Sequence, residues 1–488
     1  MIQGTGSNVG KSLIAAALCR IFLQDGYRVA PFKSQNMALN AAVTRDGLEM
    51  SRAQALQAQA CRIEPDARMN PILLKPSSEE GCQVVVLGKV RGTLSADAYL
   101  DAKAELFPIV KEAYASLASE HDVIVIEGAG SPAEINLMDR EIVNMRVAEM
   151  ADAPVLLVGD IDCGGVFAAL VGTLALLPEA QASRIQGLLI NKFRGRRSLL
   201  DAGLDAVARR TGRPVLGVIP FVDHLRLPDE DSLAWRARRP ETTDGAAVTV
   251  VAIDLPRTSN FNDLDPLRIE PDVDVRVVRT GEAMGNPDVV VLPGSKSVAS
   301  DLATLRACGL ADAIAAHAAA GGVVIGLCGG LQMMGRAIKD PHGIESATRD
   351  VQGLGLLPVE TVLEAEKVVR LVAGRHLPTG CDVWGYEIHH GRSQRLGPSS
   401  SLIALDSGGV DGVAEGACWG TYLHGIFDSD AFRRAVIDGW RVRKGLPRLG
   451  AIQATYDIEA ELNRLADVVR ESLDLGAVYQ MMGIRRRA

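Results

Sequence analysis

Gly4-Thr5-Gly6-Ser7-Asn8-Val9-Gly10-Lys11-Ser12 stands almost at the start of the chain and runs directly into an amphipathic stretch, Ser12–Gln24. A glycine-rich loop that hands Gly-Lys-Ser to a helix points backbone N–H groups and the helix N-terminus at one spot, which suits a polyphosphate. The strict phosphate-loop pattern places a glycine five positions before the glycine that precedes lysine. That position is Thr5, and the glycine is Gly4, so the loop is one residue longer than the strict form. The physics is unchanged: Lys11 can reach the β/γ-phosphates of ATP, and the Ser12 hydroxyl can bind Mg²⁺. Only Met1-Ile2-Gln3 is left to form the feeding strand. A central strand runs about five or six residues, so we expect the natural chain to begin a few residues upstream.

Outward from this loop, short apolar runs alternate with amphipathic segments, the pattern of parallel strands buried under helices. Expected strands are Val123–Glu127, Val155–Gly159, Gly187–Ile190, Val215–Ile219, Val248–Ile253, Val289–Leu292 and Val323–Leu327, with helices such as Ser51–Cys61 between them. This predicts an α/β fold of two doubly wound domains. Ligands bind at the carboxyl ends of such strands. Glu127 ends one of them and suits a carboxylate held against Mg²⁺; Asp160 and Asp162 end another, and Asn191-Lys192 follows a third, where Asn191 is placed to read a nucleotide base. Glu49 is a further candidate for the metal.

The stretch WRARRPETTDGA at Trp235–Ala246 is charged and poor in apolar residues, and marks a boundary. We therefore expect a first domain at 1–235, a linker at 236–246, a second domain at 247–435 and a helical segment at 436–488. In the second domain, Gly326-Leu327-Cys328-Gly329-Gly330-Leu331-Gln332 reads as a strand, a cysteine between glycines, and a helix. A nucleophile on such a sharp turn needs small neighbours. The helix N-terminus favours a thiolate, and the Gly329 N–H can donate to an oxyanion. Downstream, His424 in Gly420-Thr421-Tyr422-Leu423-His424-Gly425 can serve as general base, and a Cys–His pair attacks amide or ester carbonyls.

Composition limits the alternatives. The chain has 488 residues and a net charge of −8, with 47% hydrophobic and 23% charged residues, so it is globular and too acidic for a nucleic-acid or anionic-membrane surface. Its eight cysteines include no C-x-x-C pair, which argues against a zinc ribbon and fits a reducing, cytoplasmic setting. The longest apolar stretch, Ala318–Leu331, has 14 residues and five glycines; a membrane span needs about 20.

Both motifs together resemble the cobyric acid synthase family of glutamine-dependent amidotransferases, over essentially the whole length. The matching stretches are PFKSQNMALN at Pro31–Asn40, RAQALQA at Arg52–Ala58, VIEGAGSPAEINL at Val125–Leu137, DIDCGGVFA at Asp160–Ala168, NKFRG at Asn191–Gly195 and GVIP at Gly217–Pro220. In the second domain they are LPGSKS at Leu292–Ser297, GLCGGLQM at Gly326–Met333, GYEIHHG at Gly385–Gly391 and GTYLHGIFD at Gly420–Asp428.

The resemblance implies a dethiobiotin-synthetase-like ATP-binding domain followed by a flavodoxin-like class I glutaminase. Cys328 is then the nucleophile and His424 its base, with Gly294 and Gly329 framing the oxyanion and Gln332 near glutamine. The implied substrate is a corrinoid, adenosylcobyrinic acid a,c-diamide, amidated on four carboxylates with ATP, Mg²⁺ and glutamine. Lys33, Ser34, Gln35 and Asn36, with Asp160, are expected to line its cleft.

Two positions depart from relatives of these domains. Ile426 stands where many class I glutaminases carry a glutamate, which leaves open what orients His424. Cys163 replaces a basic residue expected in DIDRGG. Cobyrinic acid a,c-diamide synthase would show another motif after PFK. CTP synthase keeps the glutamate that Ile426 lacks, and a ParA/MinD-like switch would place a lysine at Gly6.

Overall fold

Runs of Val, Ile and Leu without alternation form strands buried on both faces, which suits a parallel sheet covered by helices. The computed structural model describes residues 1–76, 81–228, 247–345 and 348–487, and each of the seven expected strands is present. Val248–Ile253, Val289–Leu292 and Val323–Leu327 fall at the expected residues. The expected linker 236–246 lies outside the described residues.

The chain packs into two units, Met1–Ala38 with Met50–Leu227 and Asp457–Ala488, and Leu39–Glu49 with Pro228–Tyr456. This differs from a linear division in two places, each with a physical cause. Residues 39–49 are held by the second unit: Asn40 Nδ2 donates to Asn262 Oδ1 at 2.8 Å, and the Ala41 N–H to Asn260 Oδ1 at 3.0 Å. The helical segment expected at 436–488 is split. Helix Asp430–Arg443 belongs to the second unit, where the buried Arg433 pairs with Glu270 at 2.7 Å.

Helix Ile458–Ser472 belongs to the first unit. Asp457 caps it by accepting from the Ala460 N–H at 3.0 Å. It buries the stripe Leu462, Leu465, Ala466 and Val469 in the same core as Ile14, Leu18 and Ile21 of helix Lys11–Gln24. That spacing is one face of a helix, and each large aliphatic side chain contributes about 1.5–3 kcal/mol by its burial. Arg20, fully buried on helix Lys11–Gln24, reaches both carboxylate oxygens of Glu459 at 2.9 Å and Asn463 Oδ1 at 3.0 Å.

The first unit's main sheet is parallel, in the order Ile2–Gly4, Val155–Asp160, Ile185–Phe193, Val215–Pro220. A bridge from Ile2 to Glu127 joins it to the parallel pair Val29–Phe32 and Val123–Ile126. A smaller sheet of Gln35–Met37, Ile72–Pro76, Gly81–Val86 and Lys89–Ser95 was not expected from the sequence.

The main sheet of the second unit has 11 strands among the described residues. Five are parallel: Val273–Val278, Val248–Ile253, Val289–Leu292, Val323–Leu327 and Cys418–Thr421. The sheet then continues through antiparallel strands to a long hairpin, Val359–His376 with Asp382–Arg395.

Candidate functional site

In the first unit the loop after Ile2–Gly4 passes through Asn8 at φ 60° and Gly10 at φ 97°, both left-handed. Gly10 has a second reason to be glycine, since a Cβ there would lie 2.1 Å from Asn191 Nδ2. That nitrogen donates to the Val9 carbonyl at 2.8 Å, and Lys192 Nζ donates to the Asn8 carbonyl and to Asp160 Oδ2, each at 2.7 Å. Asn191 and Lys192 therefore brace the loop from strand Ile185–Phe193, two places away in the sheet. Lys11 Nζ is held in the loop by the Gly6 carbonyl at 2.7 Å and the Gly130 carbonyl at 3.1 Å.

Glu127 is fully buried, and four donors share its two oxygens. Oε1 accepts from Ser12 Oγ and Lys33 Nζ, each at 2.8 Å; Oε2 accepts from Gln57 at 2.6 Å and Gln54 at 3.2 Å. The two glutamines were missed from the sequence. Their spacing was a usable signal, because residues three apart share one helix face.

The four residues expected to line a substrate cleft do not form one surface. Lys33 lies against Glu127, and Ser34 is fully buried, donating to the Ile142 carbonyl at 2.8 Å. Asn36 is buried and donates to Ser51 Oγ at 2.6 Å and Gln54 Oε1 at 3.2 Å. Only Gln35 keeps some surface, with its Oε1 accepting from the Tyr99 hydroxyl. Asp160 Oδ1 accepts from the Asp162 N–H at 2.8 Å, and the Cys163 thiol lies 3.6 Å from its Oδ2.

Glu49 belongs to the second unit, and its carboxylate accepts from Lys367 Nζ at 2.6 Å. Among the described residues no group of three His, Cys, Asp or Glu is arranged to hold a metal. The oxygen donors that the structure does bring together are Ser12 and Glu127.

In the second unit Cys328 sits at the turn from strand Val323–Leu327 to the short helix Gly329–Met334, at φ 49° and ψ −103°. This conformation costs a non-glycine residue about 1–3 kcal/mol and persists only where the surroundings enforce it. They do so through close packing. A Cβ on Gly330 would lie 2.0 Å from the Leu292 carbonyl oxygen, and one on Gly329 would lie 2.7 Å from the Ser295 nitrogen. The Cys328 N–H donates to the Thr421 carbonyl at 2.8 Å, and its thiol faces the Ile388 carbonyl at 3.7 Å.

His424 follows strand Cys418–Thr421, which is hydrogen-bonded to Val323–Leu327. Adjacent parallel strands thus bring residues 328 and 424 to one sheet edge. His424 also exchanges both backbone hydrogen bonds with Tyr386, at 2.9 and 3.1 Å, and the two rings stack with centroids 5.4 Å apart. Gly294 lies against the imidazole: a Cβ there would be 3.1 Å from His424 Cε1. Gln332 Nε2 donates to the Tyr422 hydroxyl at 3.3 Å.

The sequence left open what orients His424, and the structure supplies Asp263. His424 Nδ1 donates to Asp263 Oδ2 at 2.7 Å, and the Gly425 N–H donates to Oδ1 at 2.8 Å. Both side chains are buried. A carboxylate only accepts, so Nδ1 carries the proton and Nε2 is left for the thiol. Burial works against a charged imidazole here, but the Asp263 carboxylate and the nearby Cys328 side chain outweigh it and raise His424 to about 10. A thiol, an imidazole and a carboxylate in this order can act as nucleophile, base and orienting group. Asp263 follows the first strand of the second α/β series, where the rule that ligands gather at strand ends would have pointed to it.

Two domain families match the chain. A CobQ/CobB/MinD/ParA nucleotide binding domain matches residues 1–234, and a CobB/CobQ-like glutamine amidotransferase domain matches residues 249–432. Among curated relatives, a cobyric acid synthase of Sorangium cellulosum is 50% identical over 100% of this chain and 99% of its own length. One from Nitratidesulfovibrio vulgaris is 49% identical over 99% of this chain and 97% of its own. A third, from Clostridium acetobutylicum, is 46% identical over 99% and 98%. No described helix is long and apolar enough to cross a membrane. Likeness of this degree, sustained from end to end across both units, settles kinship: the chain belongs to the cobyric acid synthase family, ATP-dependent ligases that use glutamine as amide donor in cobalamin biosynthesis.

Proposed function

We propose that this protein amidates the b, d, e and g side-chain carboxylates of adenosylcobyrinic acid a,c-diamide, giving adenosylcobyric acid with one ATP and one glutamine per amide. The observation that carries this reading is the buried Cys328–His424–Asp263 group on the same chain as the Lys11 loop. Such a cysteine site releases nitrogen, and a phosphate loop with a carboxylate beside it energises an acid. The curated relatives of matching length carry the name of that product.

In this mechanism the Cys328 thiolate attacks the side-chain carbonyl of glutamine, and the oxyanion forms beside Gly294 and Gly329. The His424 imidazolium gives its proton to the departing nitrogen, so ammonia leaves and a thioester remains. Water, deprotonated by His424, then releases glutamate. In the first unit, the loop from Gly4 to Ser12 binds the triphosphate of ATP, Lys11 neutralises charge on the phosphate in transfer, and Asn191 holds the loop in shape. Ser12 and Glu127 are hard oxygen donors in direct contact, a set that fits Mg²⁺. When bound, the ion would neutralise charge on the phosphate oxygens. Glu49, also expected at the metal, is engaged with Lys367. The substrate carboxylate takes the phosphoryl group, and ammonia displaces phosphate to leave an amide.

Mass spectrometry of the corrinoid after incubation with ATP, Mg²⁺ and glutamine tests the reading. The expected product carries four replacements of OH by NH₂; a corrinoid of unchanged mass would refute it.

Asp263→Asn tests the orienting carboxylate. Without that negative charge, burial dominates and the pKa of His424 falls from about 10. The alkaline limb of the pH profile for glutamine hydrolysis is therefore expected to move to lower pH. The rate should fall by about 100- to 10,000-fold, the range for losing the right tautomer and its charge partner. Ammonium-supported amidation should be unaffected. An unshifted alkaline limb would show that Asp263 does not set the state of His424.

A further inference from the structure

Strand Asp382–Arg395 forms one wall around Cys328. Its Tyr386 pairs with the His424 backbone, its Ile388 carbonyl faces the Cys328 thiol, and a Cβ on its Gly391 would lie 2.3 Å from Gln332 Nε2. His390 lies between the last two contacts and is only 7% exposed. Its Nδ1 is 3.1 Å from the Glu364 carbonyl oxygen. A carbonyl only accepts, so Nδ1 carries the hydrogen and Nε2 presents a bare lone pair. That Nε2 is buried without a hydrogen-bond partner among the described residues. A buried polar atom in this state calls for a ligand able to donate to it.

We propose that His390 Nε2 is a holding site for ammonia, accepting a hydrogen bond from the NH₃ released at Cys328. This rests on the reading of Cys328 as the residue that liberates it. Burial pushes His390 down to about 4, and Lys367 and Lys296 push the same way against smaller opposing pulls from the Glu364 carbonyl and Glu49. The ring is therefore a neutral acceptor at neutral pH. The same surroundings disfavour a further cation, so nitrogen held there stays as nucleophilic NH₃ and not as ammonium. All of these groups lie in the second unit.

Two near-isosteric variants separate this role from a structural one. His390→Asn keeps a donor for the Glu364 carbonyl and removes the acceptor at the Nε2 position; His390→Gln keeps an acceptor there and gives up the Nδ1 donor. The quantity to measure is corrinoid amide formed per glutamate released, beside amidation supported by ammonium chloride. H390N is expected to lower the amide-to-glutamate ratio about three- to tenfold, the worth of one hydrogen bond, with ammonium-supported turnover within about twofold of wild type. H390Q is expected to keep most of the ratio.

An unchanged ratio in H390N would mean that only water sits on Nε2 and would overturn the proposal. The reverse pattern, with H390N intact and H390Q impaired, would show that the imidazole merely braces the strand. Loss of ammonium-supported turnover in H390N would equally overturn it in favour of a folding role. None of these results bears on Cys328, whose own role fails only if C328S continues to release glutamate.

Discussion

C328S is expected to lose glutamine-dependent amidation by at least about 10,000-fold, the scale for removing a nucleophile that acts as one unit with its base. Amidation with ammonium chloride should continue at close to the wild-type rate. Serine has the same shape to one atom and tolerates φ 49° no worse than cysteine, so the turn and the glycine packing around it are retained. What disappears is the polarizable, nucleophilic sulfur. The measurement is amide yield with each nitrogen source in parallel. Loss with both would show that nitrogen release and amide formation are not separable as proposed.

K11A has the complementary signature. Lys11 Nζ is the cationic group inside the loop, held by the Gly6 and Gly130 carbonyls. Phosphoryl transfer depends mainly on positioning and on neutralising charge. Removing one fixed charge from such a site costs about 100- to 1,000-fold. Amidation should therefore fall by that amount with glutamine and with ammonium alike, while glutamate release persists. Full turnover in K11A would make the loop a structural turn.

Most parallel strands of the first unit and three of the five in the second were legible because a strand buried on two faces has to be written in Val, Ile and Leu; Val273–Val278, broken by Asp274 and Arg276, and the short Cys418–Thr421 were not. Nor was the antiparallel half of the second sheet. Val359–His376 contains VLEAEKVVRLV, whose Leu, Glu, Ala, Lys and Arg favour helix, and the pairing that overrides them comes from Asp382–Arg395 and Ser400–Leu405. Cys328, His424 and the phosphate loop announce themselves through neighbouring glycines, because tight turns leave a mark in local sequence. Asp263 leaves a fainter one: it follows a strand end, but it lies 161 residues from the histidine it orients, in the short 3-10 helix Phe261–Leu264. Gln54 and Gln57 showed only their shared helix face, since the carboxylate they meet, Glu127, lies 70 or more residues away.

The grip of Glu459 and Asn463 on Arg20 has a consequence for biosynthesis. The first unit is written in pieces that bracket nearly all of the second, so a ribosome has translated residues 228–456 before the side chains that neutralise the Arg20 guanidinium emerge. The nascent chain therefore makes the nitrogen-releasing machinery before the energy-consuming one can close its core, an order of assembly imposed by connectivity alone.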